Sequence, residues 1–193
     1  MVAVNSTMLQ LGTVAPDFRL PDTNGRTVAR ADLVGRPLLV AFICNHCPFV
    51  KHVAAELAAF GRDAHAKGLA VVAINSNDVE THPDDAPARM QEEVRTRGYT
   101  FPYLFDATQA VAKAYRAACT PDFYLFDAGH RLVYRGRFDA TRPQQTPPQT
   151  PDGRELRAAV EALVSGRPVP QDQKPSIGCN IKWKPGNEPD YFG

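Results

Sequence analysis

The chain has 193 residues, of which 44% are hydrophobic, so it is long enough to bury one sizeable core. Its 22 Lys and Arg residues nearly balance its 21 Asp and Glu residues, giving a formal charge of +1 with no long run of either sign. This balance argues against a nucleic-acid surface or an anionic membrane as the main partner.

The N-terminal segment and the cysteine content together indicate the compartment. Residues 1–10 have neither the basic start nor the apolar centre of a signal peptide, and no apolar stretch approaches the roughly 20 residues of a membrane helix. We therefore expect a cytoplasmic protein. Structural disulfides are rare there, so the four cysteines are expected to be reactive, metal-bound or simply buried.

The first part of the chain predicts a hairpin, a buried strand and a helix. Apolar and polar side chains alternate in residues 15–36 on either side of Asn24-Gly25, a dipeptide favoured in tight turns. Residues 37–43 are almost continuously apolar, which is typical of a strand covered on both faces. In residues 48–67 apolar side chains recur at helical spacing.

The remainder predicts further strands and helices. Strands or extended segments are predicted at 69–74, 101–105, 123–126 and 132–138, and helices within 79–98, at 108–116, and from Asp152 to Gly166, where Asp152 and Glu155 resemble a capping box. The stretch 141–151 reads as a surface loop. Residues 167–193 are proline-rich and irregular but too apolar for a free tail, so we expect this extension to pack against a single domain that carries an insertion at 79–98.

The segment Cys44-Asn45-His46-Cys47-Pro48 places a cysteine where a strand turns into a helix. Unpaired backbone N–H groups and the positive end of the helix dipole favour a thiolate there. Proline suits the first helical position, which makes Cys47 the N-cap residue. In the alternative assignment, Cys44 is the attacking thiol and Cys47 is the resolving thiol. We favour Cys47 as the reactive thiol, with Cys44 as a candidate resolving thiol.

Several motifs resemble the thioredoxin-like superfamily, and within it the peroxiredoxin-related redoxins (alkyl hydroperoxide reductase/thiol-specific antioxidant proteins). They are the opening Gly12-Thr13-Val14-Ala15-Pro16-Asp17-Phe18, the Asn24-Gly25 turn, Leu33-Val34-Gly35-Arg36-Pro37, the cysteine motif and Thr120-Pro121. The resemblance covers about residues 10–165 and is greatest to proteins with an Asn-His-Cys-Pro-Phe-Val signature. It implies an α/β thioredoxin-like fold with a central mixed sheet, helices on both faces, an N-terminal hairpin and a C-terminal extension.

The resemblance also implies roles for particular residues. Thr120-Pro121 is similar to the cis-proline that lies opposite the active cysteine in this superfamily. Counting from Phe42 without gaps, Cys47 takes the place of the first motif cysteine. Cys44 then stands where peroxiredoxins carry a threonine or serine, so the motif does not support peroxide reduction. Thiol–disulfide exchange, which needs only a low-pKa thiolate and access, is the safer expectation.

Other residues complete the candidate site. Cys179 in the extension and Cys119 beside the predicted cis-proline are candidate resolving thiols, and for both the alternative is a packed core cysteine. Asn45 is expected to support the site. His46 is expected to add positive charge or to hydrogen-bond the thiolate.

We therefore expect a thiol-dependent oxidoreductase or antioxidant protein in which Cys47 attacks a disulfide or hydroperoxide and a second thiol resolves the adduct. No organic cofactor is implied, and an external dithiol such as a thioredoxin system is expected to supply electrons; a homodimer is left open. Two alternatives come from other classes. One is a non-enzymatic binding or chaperone-like module, and the other is a zinc protein using Cys44, His46, Cys47 and His52.

Overall fold

The computed structural model describes residues 3–192; Met1, Val2 and Gly193, the outermost residues of the predicted domain, lie outside the described range. The strands are β1 (Ala3–Asn5), β2 (Arg19–Pro21), β3 (Thr27–Ala29), β4 (Leu38–Phe42), β5 (Ala70–Asn75), β6 (Tyr103–Phe105), β7 (Cys119–Thr120), β8 (Asp122–Phe126), β9 (Leu132–Gly136) and β10 (Ile177–Asn180). The α-helices are α1 (Pro48–Ala66), α2 (Pro87–Arg97), α3 (Ala110–Ala114) and α4 (Arg154–Val164).

The central sheet has five strands in the order β6-β5-β4-β8-β9. Strands β4, β5 and β6 run parallel, whereas β8 is antiparallel to both β4 and β9, so the sheet is mixed as predicted. Val40 in the centre pairs with Val72 on one side and Tyr124 on the other. The continuous apolar run of β4 follows from this position, because both of its faces are covered.

Side chains of β4 alternate between two hydrophobic layers, as the pleat of a strand requires. Leu39 and Ala41 face a layer that contains α1 and α4, and Val40 faces the other, which contains α3 and the β2–β3 hairpin. Helices therefore cover both faces of the sheet, and β4 delivers the cysteine motif at its carboxyl end. No helix within residues 3–192 combines the length and apolar character needed to cross a membrane.

The start of α4 differs from the prediction. The helix begins at Arg154, and its N-cap is Gly153 in the left-handed conformation, with φ 62°. The predicted cap, Asp152, lies one residue earlier; its carboxylate accepts the backbone N–H of Arg154 at 3.0 Å and forms an ion pair with the Arg154 side chain. The carboxylate of Asp139 accepts the N–H groups of Asp152 (2.9 Å) and Gly153 (2.8 Å), so a distant residue satisfies the amides that the capping box was expected to satisfy.

The C-terminal extension is more regular than predicted. It contains β10, which pairs antiparallel with β7 on one side and with β1 on the other, forming a second, three-stranded sheet. Beyond the strand, Ile181 and Trp183 are buried in the α3 layer. A four-residue strand with a glycine at its second position has no readable alternation, which explains why the sequence pattern missed it.

Candidate active site

The cysteine motif has the local geometry that its sequence predicts. Pro48 is the first residue of α1 and Cys47 is its N-cap, with extended backbone angles of φ −66° and ψ 124°. The proline ring removes an N–H group that would have no partner in the first helical turn. The sulfur of Cys47 therefore lies at the amino end of a 19-residue helix.

Two other thiols lie beside the sulfur of Cys47. Hydrogen bonds from Cys179 and then from Cys44 hold the pKa of Cys47 well below that of an ordinary thiol, against the effect of burial. The backbone N–H groups of Val50 and Cys179 lower the pKa of Cys47 further. Donation to Cys47 raises the pKa of Cys179, and burial, followed by the same interaction, raises the pKa of Cys44. The arrangement favours one thiolate flanked by two protonated thiols.

Thr120 connects the cysteines to the second sheet. Its carbonyl oxygen is 3.2 Å from the sulfur of Cys47, and its hydroxyl is 3.2 Å from the sulfur of Cys44. A protonated Cys47 can donate to that carbonyl, whereas the thiolate accepts from its neighbouring thiols instead. The Thr120-Pro121 peptide bond is cis, as the resemblance implied.

A buried carboxylate, Asp85, holds the loop between the two motif cysteines. Its Oδ1 accepts the N–H groups of Asn45 (2.8 Å) and His46 (3.3 Å), and its Oδ2 accepts the Asn77 amide at 2.8 Å. Asn45 also accepts the Tyr103 hydroxyl at 3.1 Å. Burial alone would raise the pKa of Asp85, but hydrogen bonds from His46 and Asn77 outweigh burial and lower it.

Of the two roles expected of His46, the hydrogen bond to the thiolate is not the contact that its ring makes. Its Nδ1 lies 2.6 Å from Asp85 Oδ2, and its ring stacks on His82 with centroids 4.9 Å apart. The imidazole therefore interacts with a carboxylate rather than with the thiolate. The backbone N–H of His46 points to the same carboxylate, so this residue positions the loop.

The expectation of an accessible thiol is wrong for this conformation. The exposed fraction of Cys47 is 0%, and those of Cys44 and Cys179 are 1% and 2%. Strand β10 contributes to this burial: its Cys179 lies opposite Thr120 in the β7–β10 register and donates to the sulfur of Cys47. A Cβ atom added at Gly178 would collide with the Thr120 carbonyl group, so the strand lies as close to the site as a glycine allows.

Cys119 is separated from this cluster in its contacts. Its sulfur lies 3.8 Å from the carbonyl oxygen of Pro121, and burial raises its pKa well above the ordinary value. Neighbouring side chains of a strand point to opposite faces, so the side chain of Cys119 faces away from the side on which the Thr120 hydroxyl meets Cys44. Its position favours the interpretation as a packed cysteine.

The four ligands of the zinc alternative are not brought together. His52 is hydrogen-bonded to the Thr141 hydroxyl at 2.9 Å. Ligand atoms of Cys44, His46 and Asp85 do lie within 4.8 Å of one another, but His46 and Asp85 already satisfy each other at 2.6 Å. The donor set therefore fits a hydrogen-bonded loop better than a metal centre.

Sequence reasoning missed two buried carboxylates near the site. Asp85 follows Asp84 in a segment that looked like a polar helix lead-in, and nothing local distinguishes the buried from the exposed residue. Asp122 follows the cis-proline, and burial raises its pKa to about 7. An aspartate next to an apolar strand was the available signal, but its burial depends on the pairing of β8 with β4.

The fold is thioredoxin-like. A secreted disulfide oxidoreductase from Mycobacterium tuberculosis, described as homologous to E. coli DsbE, matches with a TM-score of 0.59 at 21% identity, covering 76% of this chain and 96% of that one. This match supports the fold only. The AhpC/TSA family model matches residues 11–135, nearly two thirds of the chain, so the protein belongs to the AhpC/TSA family.

Two solved structures are similar over almost the whole chain. An uncharacterized conserved protein from Geobacillus kaustophilus is 53% identical, with a TM-score of 0.92, covering 96% of this chain and 98% of that one. A hypothetical protein from Sinorhizobium meliloti 1021 is 51% identical, with a TM-score of 0.91, covering 94% and 99%. Both matches extend well beyond the family region, which spans residues 11–135.

A curated relative is also similar over part of its length. The thiol-disulfide oxidoreductase ResA of Bacillus subtilis (strain 168) is 25% identical over 122 residues, or 63% of this chain. The match spans 64% of the length of ResA.

Proposed function

We propose that the protein is a thiol-dependent oxidoreductase in which the Cys47 thiolate attacks a substrate sulfur. The observation that carries this proposal is a cysteine at a helix N-cap whose pKa is lowered by two neighbouring thiols. The name of the similar ResA protein supports the same chemistry. Membership of the group with an Asn-His-Cys-Pro-Phe-Val signature is part of the proposal, and so is the cytoplasmic location.

The reaction proposed is exchange with a disulfide. The Cys47 thiolate attacks one sulfur of the substrate, forming a mixed disulfide and releasing the other sulfur as a thiolate. A second protein thiol then attacks Cys47 in the mixed disulfide, which releases the remaining substrate thiolate and leaves a protein disulfide. The substrate is reduced and two protein thiols are oxidised; an external dithiol restores them.

Hydroperoxide reduction is the second candidate. Membership of the AhpC/TSA family supports this reaction, but the residues around Cys47 support it less. The residue three positions before Cys47 is Cys44, so the hydroxyl expected there is a thiol. The nearby hydroxyl of Thr120 is directed at Cys44, 3.2 Å from its sulfur. Among the described residues no hydroxyl is hydrogen-bonded to the Cys47 sulfur, and such a site is better suited to disulfide exchange, which needs no such group.

The test measures reduction of a small disulfide by the reduced protein. Cys47→Ser is expected to abolish the reaction, whereas Cys119→Ser, a matched change of a buried cysteine outside the cluster, is expected to retain it. The pH dependence of alkylation at Cys47 is expected to have its midpoint well below the ordinary thiol value of about 8.5. Full activity of Cys47→Ser contradicts the assignment, and an ordinary midpoint favours the non-enzymatic binding module.

A further inference from the structure

The two thiols beside Cys47 differ in the elements that carry them. Cys44 lies in the loop after β4, where Asp85 and Tyr103 hold the adjacent Asn45. Cys179 lies on β10, a four-residue strand whose pairing with β7 covers two residues. The loop is fixed within the main core, whereas β10 is the short middle strand of the second, three-stranded sheet.

Burial of Cys47 makes movement of one of these elements necessary. Its sulfur has no exposed surface, so a disulfide substrate reaches it only after something leaves. Removing α1 or β4 would break the main sheet and its core, because both are packed along their whole length. Removing β10 breaks short pairings with β7 and β1. Strand β10 has fewer backbone pairings than β4, with three residue pairs to β1 and two to β7 against five to each neighbour of β4, so its displacement is expected to cost less free energy.

The electrostatic surroundings also distinguish the two thiols. The pKa of Cys179 is raised chiefly because it donates to Cys47, and the nearby Lys182 opposes that rise. Once Cys47 is bonded to a substrate sulfur it is neutral, and the main cause of the rise disappears. The pKa of Cys44 is raised chiefly by burial and further by the charge of Asp85, and both persist after Cys47 has reacted.

We propose that Cys179 is the resolving thiol and that β10 acts as a cover. The strand moves away from Thr120 so that a disulfide substrate can reach Cys47, and it then returns so that the Cys47–Cys179 disulfide can form. This inference rests on the proposed function of Cys47. Movement of β10 then contributes to both steps of the reaction. It exposes Cys47 to the substrate, and it brings Cys179 to the mixed disulfide, from which Cys179 releases the remaining substrate thiolate. Cys44 stays protonated and donates to the reactive sulfur.

The experiment uses the chromogenic disulfide DTNB, added below the protein concentration to the reduced full-length chain. Attack by Cys47 releases one nitrothiobenzoate and leaves the other bound, and attack by a resolving thiol releases the second. Wild type is expected to release two nitrothiobenzoates per DTNB, and Cys44→Ser is expected to reach the same total at a lower rate, because it replaces a thiol that donates to the reactive sulfur. Cys179→Ser is expected to stop at one and to retain a mixed disulfide at Cys47, identified by peptide mass spectrometry.

The opposite pattern, in which Cys44→Ser stops at one release and Cys179→Ser reaches two, would overturn the assignment of Cys179. Failure of the proposed function is a different result. In that case Cys47→Ser would still release both nitrothiobenzoates, or wild type would release none.

The covering role has its own test. Gly178→Ala places a Cβ against the Thr120 backbone and is expected to speed alkylation of Cys47 by iodoacetamide several-fold. Gly129→Ala is the matched control, because its Cβ would meet only the Asp127 side chain at 3.3 Å, and it should leave the rate unchanged. Folding of both variants is checked by circular dichroism. An unchanged rate in folded Gly178→Ala contradicts the role of β10.

Hydrogen exchange of the wild type tests the cover without any substitution. Amides of residues 177–180 are expected to exchange faster than those of 38–42 in the reduced protein, and to slow when the Cys47–Cys179 disulfide forms. Equal protection of the two strands in the reduced protein would mean that β10 does not open separately, and would overturn this part of the proposal.

Discussion

Replacing Asp85 by Asn tests whether this carboxylate holds the cysteine loop. Asp85 is fully buried and accepts four hydrogen bonds, three of them from residues of the loop itself: the backbone of Asn45 and both the backbone and the ring of His46. The fourth comes from Asn77. An asparagine keeps the shape of the side chain but loses the charge and one acceptor oxygen.

The expected cost follows from the geometry. The remaining oxygen of the substituted side chain can still accept the two backbone N–H groups, but its NH₂ would then face the Asn77 amide, which is also a donor. Hydrogen bonds to charged groups contribute about 1.5–3 kcal/mol each, and one to two of them are lost or weakened. We therefore expect Asp85→Asn to lower the free energy of unfolding by about 2–4 kcal/mol at neutral pH.

The assay is urea unfolding at several pH values. Because the pKa of Asp85 is lower in the folded protein than in the unfolded chain, its stabilisation is complete above about pH 4 and is lost as the pH falls through the folded pKa. The difference between wild type and variant should shrink in that acidic range. Asp84→Asn is the matched control, because the neighbouring side chain is exposed and should change stability by less than about 0.5 kcal/mol. Equal stability of the two variants at neutral pH would refute the role assigned to Asp85.

Two further substitutions test the surroundings of the site. Burial raises the pKa of Asp122 to about 7, so the folded protein keeps a proton that the unfolded chain releases above about pH 4, and stability should fall as the pH rises from about 4 to 7. Asp122→Asn should flatten that part of the profile in urea unfolding, and an unchanged slope would contradict the shift. Gly136→Ala should lower the thermal midpoint by several degrees, since Gly136 has φ 130° and a Cβ there would collide with the Lys174 carbonyl. The control Gly129→Ala should leave the midpoint near that of wild type, and similar midpoints for both would contradict the steric argument.

The parts of the fold predicted correctly are those with local causes. The buried strand β4 follows from an unbroken apolar run, and the start of α1 follows from a proline that suits the first helical position. The same proline identified Cys47 as the N-cap residue. These signals lie within a few residues of the structure that they specify, so one sequence is enough to read them.

The missed features depend on contacts between distant parts of the chain. Asp85 is buried because loop amides some 40 residues away in sequence donate to it, whereas its neighbour Asp84 stays exposed. The strand β10 exists because β7 and β1 offer backbone partners on both of its edges. Neither a carboxylate's partner nor a short strand's neighbours can be read from composition or periodicity.

The burial of Cys47 shows why the local signal could not settle reactivity. A helix N-terminus lowers the free energy of a thiolate whether or not the sulfur is exposed, so the motif looks the same in a covered and in an open site. Here the covering strand contributes Cys179, whose thiol is the largest cause of the lowered pKa. Opening the site therefore removes part of the thiolate's stabilisation and should raise the pKa of Cys47 toward the ordinary value. A thiolate with a higher pKa is intrinsically a stronger nucleophile. The rise in the pKa of Cys47 on opening therefore also increases the reactivity of its thiolate. If β10 is displaced as proposed, the Cys47 thiolate becomes both exposed and more reactive.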